Sequence, residues 1–516
     1  MSFRNYVESL LDVLGRDPER EVLVDPDGRR TTGGALAEDV LRTATGLSAL
    51  GVGRGGTVAL LSGNRSQALA ARYAANLLGA RVAFLHEVIH TQLAPAVVAH
   101  LVRSIDTGLL LIDPALPDLA AGLLALPDLP PARFLAPSPL GEHLDPRDHP
   151  GPRPSNAARP EDDWCLRMTG GTTGIPKSVC MTHDRYLDVL ADRAALLGSE
   201  PRFLACASLA HSAGTTADAA LLAGGRVVLH REFDPAEVLA AFAQERITDV
   251  WMPTTLLGRL LEHPAVGTAD TSGLRRVCYG GHLLSPARLR RAVEVFGPVV
   301  YGWYGQTEAG LIAEVRPDEH TLLGRMGQVT AGRPVPGVEI AVCDAAGARL
   351  PAGRTGEIRV RSPQVMNGYW KQPGLSAETL RDGWLCTGDA GYLDEAGYLY
   401  LAGRYKQMIK LAVGHQVFPA ELEALLLTHP AVGQCMVFGV RGPDDAEEIH
   451  AAIVPSAGHT PDPARIKEFV TARKGPLHTP SVLHLLTEMP LNPVGKPDRQ
   501  RVRARLGLTD EDFVTS

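Results

Sequence analysis

The sequence predicts an α/β protein built on parallel sheet, with a separate small unit of mixed helix and strand at its C-terminal end. Two observations predict it. Short apolar runs alternate with amphipathic helical stretches over residues 31–114 and again over 234–297, the pattern of strands joined by helical crossovers. From about residue 406 the chain reads instead as helix, two strands, helix and strand. A length of 516 residues, 45% hydrophobic and 21% charged, fits a globular chain of more than one domain.

The elements follow in order. Thr57–Leu61 reads as a buried strand, Ser66–Leu78 as a helix, and Arg81–Leu85 and Gly108–Ile112 as strands. Residues 127–160 carry recurrent prolines and read as a connecting loop. An apolar run at Trp164–Met168 leads to a Gly/Thr-rich loop, and a helix is expected from Thr182 onward. Asp234-Pro235 and Ser285-Pro286 each pair an N-cap with a first-turn proline, opening helices to about Glu245 and Gly297. Between them come strand Ile247–Met252, helix Thr254–Glu262 and strand Arg275–Tyr279. Gly356–Arg361 and the alternating Tyr392–Leu401 look antiparallel, the latter turning at Asp394-Glu395-Ala396-Gly397. In the last unit Pro419–Thr428 and Pro463–Lys474 are helical; Gln434–Val440, Ile449–Val454 and Val482–Leu486 are strands.

Composition narrows the function. A net charge of −7 argues against a nucleic-acid surface. Seven cysteines without a C-x-x-C spacing predict reduced thiols, and with them a cytoplasmic protein. The first residues hold no apolar signal core, and no uncharged run reaches the ~18 residues of a membrane span.

Five stretches can carry chemistry. Thr169-Gly170-Gly171-Thr172-Thr173-Gly174-Ile175-Pro176-Lys177 offers convergent backbone N–H groups, hydroxyls and one positive charge, a cradle for phosphate oxygens. It is not a Walker A loop, because Lys177 does not directly follow the last glycine. The bland alternative is a surface loop. Tyr301-Gly302-Trp303-Tyr304-Gly305-Gln306-Thr307-Glu308 combines aromatic faces able to stack on a purine with an acid suited to Mg²⁺; its alternative is an aromatic strand end. Thr387-Gly388-Asp389 supplies a carboxylate that can accept two ribose hydroxyls. Gly403-Arg404-Tyr405-Lys406 sits where the composition changes. Pro493-Val494-Gly495-Lys496-Pro497 presents one lysine on a stiff loop.

In this order the five stretches resemble the adenylate-forming superfamily of acyl-CoA synthetases, adenylation domains and luciferases, over about residues 20–505. The resemblance implies a large domain, 1–405, of stacked, mostly parallel sheets with helices. It also implies a small mobile α+β domain, 406–516, hinged at Lys406. It implies ATP, Mg²⁺ and coenzyme A, a carboxylic acid substrate, and a monomer or homodimer with no nucleic-acid or membrane partner. Thr169, Gly170, Gly171, Thr172, Thr173, Gly174, Gly281, His282, Trp303, Tyr304, Gly305, Gln306, Thr307, Asp389, Arg404 and Lys496 would bind the nucleotide. Lys496, Thr173, Lys177 and Glu308 would act in catalysis, with Glu308 on the metal. His211, Gly214, Tyr279, Gly280, Gly281, Tyr304 and Gly305 would line the acyl site, and Lys410, Gly414 and His415 the coenzyme A site. Gly214, Gly280, Gly281 and Gly302 hint at room for a bulky or cyclic acid. Ala210–Gly214 lacks the aspartate by which the family marks α-amino acids.

Three departures stand out: Gly170 replaces a serine, Ser178 a glycine, and Lys410–Val417 is one residue longer than the usual turn. The last leaves open an enzyme of one half-reaction, either adenylation with loading of a carrier protein or thioesterification of a supplied acyl-adenylate. A nucleotide-binding module without turnover is a further alternative. His86-Glu87-Val88-Ile89-His90 matches the zincin pattern H-E-x-x-H, the basis of a distant metallopeptidase alternative.

Overall fold

Residues 66–77 include five alanines, so a helix here has small side chains on every side and can be enclosed completely. A computed structural model, describing residues 3–85, 93–145, 153–169, 177–281, 284, 286–325, 327–411, 416–442, 447–456, 458–490 and 498–508, shows that enclosure. Helix Ser66–Leu77 is buried at all but one of its residues. The chain forms two compact units, the first made of 1–279, 305–311 and 362–383 and the second of 280–304, 312–361 and 384–516.

In the first unit one sheet runs in the order Gly368–Tyr369, Lys177–Thr182, Asp163–Thr169, Arg81–Leu85, Thr57–Leu61, Leu109–Ile112, Ala132–Phe134. Its centre is parallel, with Thr57 opposite Arg81 and Val58 opposite Leu109. A second sheet in this unit places Glu21–Val24, Arg226–Leu229, Arg202–Ala205 and Asp249–Pro253 in parallel register, edged by antiparallel Arg30–Thr32. One apolar core passes from Val58, Leu60 and Val82 of the first sheet to Phe203, Ala205, Val227 and Leu229 of the second. Between them it takes in helices Tyr6–Arg16, Gly33–Ala49, Ser66–Leu77, His183–Leu197 and Ser212–Leu222.

The second unit is antiparallel where the sequence alternates. Glu339–Cys343, Gly356–Arg361, Trp384–Leu393 and Leu399–Arg404 pair in succession. Beyond the single turn Tyr405–Gln407, strands Val432–Arg441 and Glu447–Pro455 form a hairpin, and Val482–Leu485 joins it in parallel. Helices Pro419–Leu426 and Pro463–Lys474 supply Leu422, Leu426, Ile466 and Val470 to its core.

Local capping chemistry explains the helices read from sequence. The Asp234 side chain accepts the Glu237 N–H at 3.0 Å, and Pro235 begins the helix. Three places differ from expectation. Residues 177–182 form a strand antiparallel to 163–169, so a strand precedes the helix expected from Thr182. Ala132–Phe134 adds a short edge strand inside the proline-rich span. The first helix, Tyr6–Arg16, opens with a capping box of Asn5 and Glu8. All seven cysteines are free, and no described helix is long and apolar enough to cross a membrane.

His183 is fully buried, and desolvation of its cationic form pushes its pKa down to about 4. The unfolded chain, at the ordinary 6.5, therefore takes up this proton first. Stability from this residue is complete above pH 6.5 and is lost as pH falls toward 4. Between pH 7 and 5 the expected loss is about 2 kcal/mol. Urea unfolding at both pH values should show that loss in the wild type and a flatter response in His183→Asn.

Candidate active site

Three motifs far apart in sequence meet at one carboxylate. Strand Trp384–Leu393 carries Asp389 opposite Arg404 of strand Leu399–Arg404. Gly388, at φ +67, lies where the pairing with 356–361 shifts, between the Arg359–Cys386 and Glu357–Ala390 pairs. A left-handed residue at such a bulge is best supplied by glycine. The Tyr304 hydroxyl donates to Asp389 Oδ2 at 2.7 Å, and Arg404 Nε lies 3.2 Å from Oδ1. Thr387 fixes the base of the site: its hydroxyl donates to the Ile358 carbonyl at 2.6 Å and accepts the Asp389 N–H at 3.0 Å. Burial, reinforced by the Asp389 charge, holds the Tyr304 phenol well above its ordinary pKa. It therefore stays a donor at neutral pH. The cluster can present a carboxylate to a vicinal diol and a tyrosine face to a planar base.

A second cluster lies in the first unit. Glu308 follows strand Val300–Gln306 in the turn before strand Gly310–Val315. Its Oε1 accepts the Tyr369 hydroxyl at 3.0 Å, and its carbonyl accepts the Met366 N–H at 2.8 Å. Lys177, at the start of its strand, holds its ammonium 5.2 Å from the Tyr369 ring centre. The turn itself demands glycine: a Cβ on Gly305 would sit 2.3 Å from the Gly310 carbonyl oxygen. Gln306 and Thr307 complete the strand end and turn, half-buried. Glu308 presents a half-buried carboxylate, and no described residue donates to its Oε2. That suits Mg²⁺, which takes one or two carboxylates together with substrate phosphates.

The segment expected to line an acyl site opens helix Ser212–Leu222. His211 caps it with extended backbone, half-buried. Thr215 Oγ1 accepts Arg167 Nη2 at 2.7 Å, joining this helix to the strand that enters the Gly/Thr loop. Asp218, deeper in the helix, pairs with buried Arg72 and accepts the hydroxyls of Tyr73 and Tyr186. Tyr279 is buried at the end of strand Arg276–Gly280, and burial raises its phenol pKa.

Two of the glycines read as room for a bulky acid have another cause. A Cβ on Gly214 would lie 1.9 Å from the Leu209 carbonyl oxygen, and one on Gly280 would lie 2.7 Å from that of Trp303. Gly281, at φ +85, faces open space. Trp303 is buried, its indole N–H on Glu314 Oε2 at 2.8 Å. Lys410 is exposed in a short ribbon, its backbone N–H on Glu447 Oε2 at 2.6 Å. Gly170, Gly171, Thr172, Thr173, Gly174, His282, Gly414, His415, Lys496 and the H-E-x-x-H stretch 86–90 lie outside the described residues.

Sequence reasoning missed Tyr369 and Arg167. Each carries its contact through tertiary placement, and neither belongs to a recognisable spacing.

Comparison with known proteins identifies the family. The medium/long-chain-fatty-acid–CoA ligase FadD8 of Mycobacterium tuberculosis is 33% identical, over 96% of this chain and 89% of that protein. The feruloyl-CoA synthase of an Amycolatopsis species is 33% identical, over 96% and 99%. Among solved structures, the amide bond synthetase McbA from Marinactinospora thermotolerans superposes with a TM-score of 0.88 at 33% identity, covering 97% of this chain and 99% of that one. Residues 12–370 match the family described as AMP-binding enzyme, and 421–496 match its C-terminal domain. The chain belongs to the AMP-binding enzyme family.

Proposed function

We propose that the chain is an AMP-forming carboxylic acid:CoA ligase. The observation that carries this reading is the convergence of Tyr304, Thr387, Asp389 and Arg404, drawn from three separate motifs, on a geometry suited to an adenosine. A carboxylate oxygen attacks the α-phosphorus of ATP and pyrophosphate leaves. A thiolate then attacks the acyl carbon, and AMP leaves with the carboxylate oxygen it gained. Glu308 would hold Mg²⁺, which neutralises phosphate charge when bound. Residues 170–176 and Lys177 receive the phosphates, and Lys496 meets the reacting groups in the first step only. We place the hinge at Lys406, in the lone turn Tyr405–Gln407, with 406–516 moving between the two steps.

The acid lacks an α-ammonium, because residues 210–214 offer no carboxylate to pair with one. The metallopeptidase alternative has no support from the family. Purified protein with ATP, Mg²⁺ and a panel of aryl and alkyl acids should release pyrophosphate and, with coenzyme A, form thioesters. Pyrophosphate release without a thioester would assign another acceptor.

One observation favours a second reading of that acceptor. The McbA likeness spans 97% of this chain. An amine would then take the acyl group, and amide formation with a panel of amines in place of coenzyme A separates the two.

A further inference from the structure

We propose that Tyr369 is a positioning residue that sets the Glu308 carboxylate for the metal while keeping the Lys177 ammonium aimed at phosphate. The proposal rests on the ligase reading above. Tyr369 lies in a two-residue edge strand opposite Val179, two positions from Lys177. It is 8% exposed. Its own backbone is locked: the Tyr369 N–H donates to Ser376 Oγ at 2.9 Å, and that hydroxyl donates to the Gln372 carbonyl at 2.8 Å. Gly368 at φ +150 allows the close approach, since a Cβ there would lie 2.9 Å from Ser376 Oγ.

From this fixed base the ring and the hydroxyl do different things. The ring face meets the Lys177 ammonium at 5.2 Å, within cation–π range. The hydroxyl donates to Glu308 Oε1 at 3.0 Å. One neutral side chain thus holds a cation and an anion at separate points. The Met366 N–H grips the Glu308 carbonyl as well, so the segment 366–369 fixes both the backbone and the carboxylate of that residue. Oε1 is occupied by the phenol, which directs a cation to Oε2.

Two substitutions separate the two contacts. Tyr369→Phe removes the hydroxyl and keeps the ring; Tyr369→Leu removes both. Calorimetric titration of the full chain with ATP, with and without Mg²⁺, reads them apart, and thermal melts check that each variant folds. With Tyr369→Phe, metal-free ATP binding stays at the wild-type value, while the gain in affinity on adding Mg²⁺ falls about tenfold. The Mg²⁺ needed for half-maximal ATP–pyrophosphate exchange rises in parallel, and the KM for the acid does not move. Tyr369→Leu shows the same metal defect and also binds metal-free ATP several-fold more weakly. A Phe variant with wild-type Mg²⁺ dependence overturns the proposal, as does one whose metal-free binding or acid KM changes as much as its metal response. If the wild-type chain binds no ATP, it is the ligase reading that fails.

Discussion

Replacing Lys496 with alanine is expected to lower acid-dependent ATP–pyrophosphate exchange about a thousandfold. In general an ammonium about 4 Å from a developing charge contributes roughly 4 kcal/mol at an effective dielectric of 20. Arginine at this position should not restore the rate, because a planar fork delivers its charge differently from a compact ammonium. With Lys496 proposed to serve the first step only, the same variant should convert supplied acyl-adenylate and coenzyme A to thioester at nearly the wild-type rate. Rapid-quench assays of each half-reaction make the comparison. A rate of exchange within about tenfold of wild type would remove Lys496 from the chemistry.

Asp218→Ala is expected to produce the largest loss of stability, about 3–5 kcal/mol. Asp218 and Arg72 are 1% and 3% exposed at the side chain. Taking away the carboxylate leaves a buried guanidinium uncompensated and two tyrosine hydroxyls, from Tyr73 and Tyr186, without their acceptor. The double substitution Arg72→Met with Asp218→Leu should recover most of the loss, because an apolar pair of similar size bears no desolvation cost. Denaturant unfolding of the two variants tests this. Equal destabilisation by the single and double changes would mean that packing, not charge, sets the effect.

The consequences of Asp218 reach the site. It anchors the helix that His211 caps and that carries Gly214 and Thr215 near its start, and Thr215 is bound to Arg167 on strand Asp163–Thr169. Helix Ser212–Leu222 and strand Asp163–Thr169 are therefore tied together within the first unit.

What the chain reveals before folding depends on the range of the interaction. Helices Thr254–Glu262 and Pro463–Lys474 have the bounds read from sequence, because capping, proline placement and periodicity are local. Strand Lys177–Thr182 was not read, because its pairing with 163–169 rests on a register set across the loop, and its interior is buried on both faces. Asp389, Arg404 and Tyr304 could be nominated individually from their motifs, and only the fold shows that they touch. Gly214 and Gly280 illustrate the reverse. In sequence a glycine looks like space, whereas here backbone carbonyl oxygens already fill the position of the missing Cβ. Trp303 stands in sequence as one of several clustered aromatics, and the fold adds that the half-buried Glu314 takes its indole N–H. Tyr369 belongs to no spacing rule. Its two roles arise from the edge strand that sets it beside Lys177 and Glu308.

One oxygen atom reports how the acid is activated. A carboxylic acid labelled with ¹⁸O in both carboxylate positions is incubated with the enzyme, ATP, Mg²⁺ and the acceptor, and the products are weighed by mass spectrometry. Activation through an acyl-adenylate predicts one ¹⁸O in the phosphate of AMP and none in pyrophosphate. Unlabelled AMP, or label appearing in inorganic phosphate beside ADP, would contradict it.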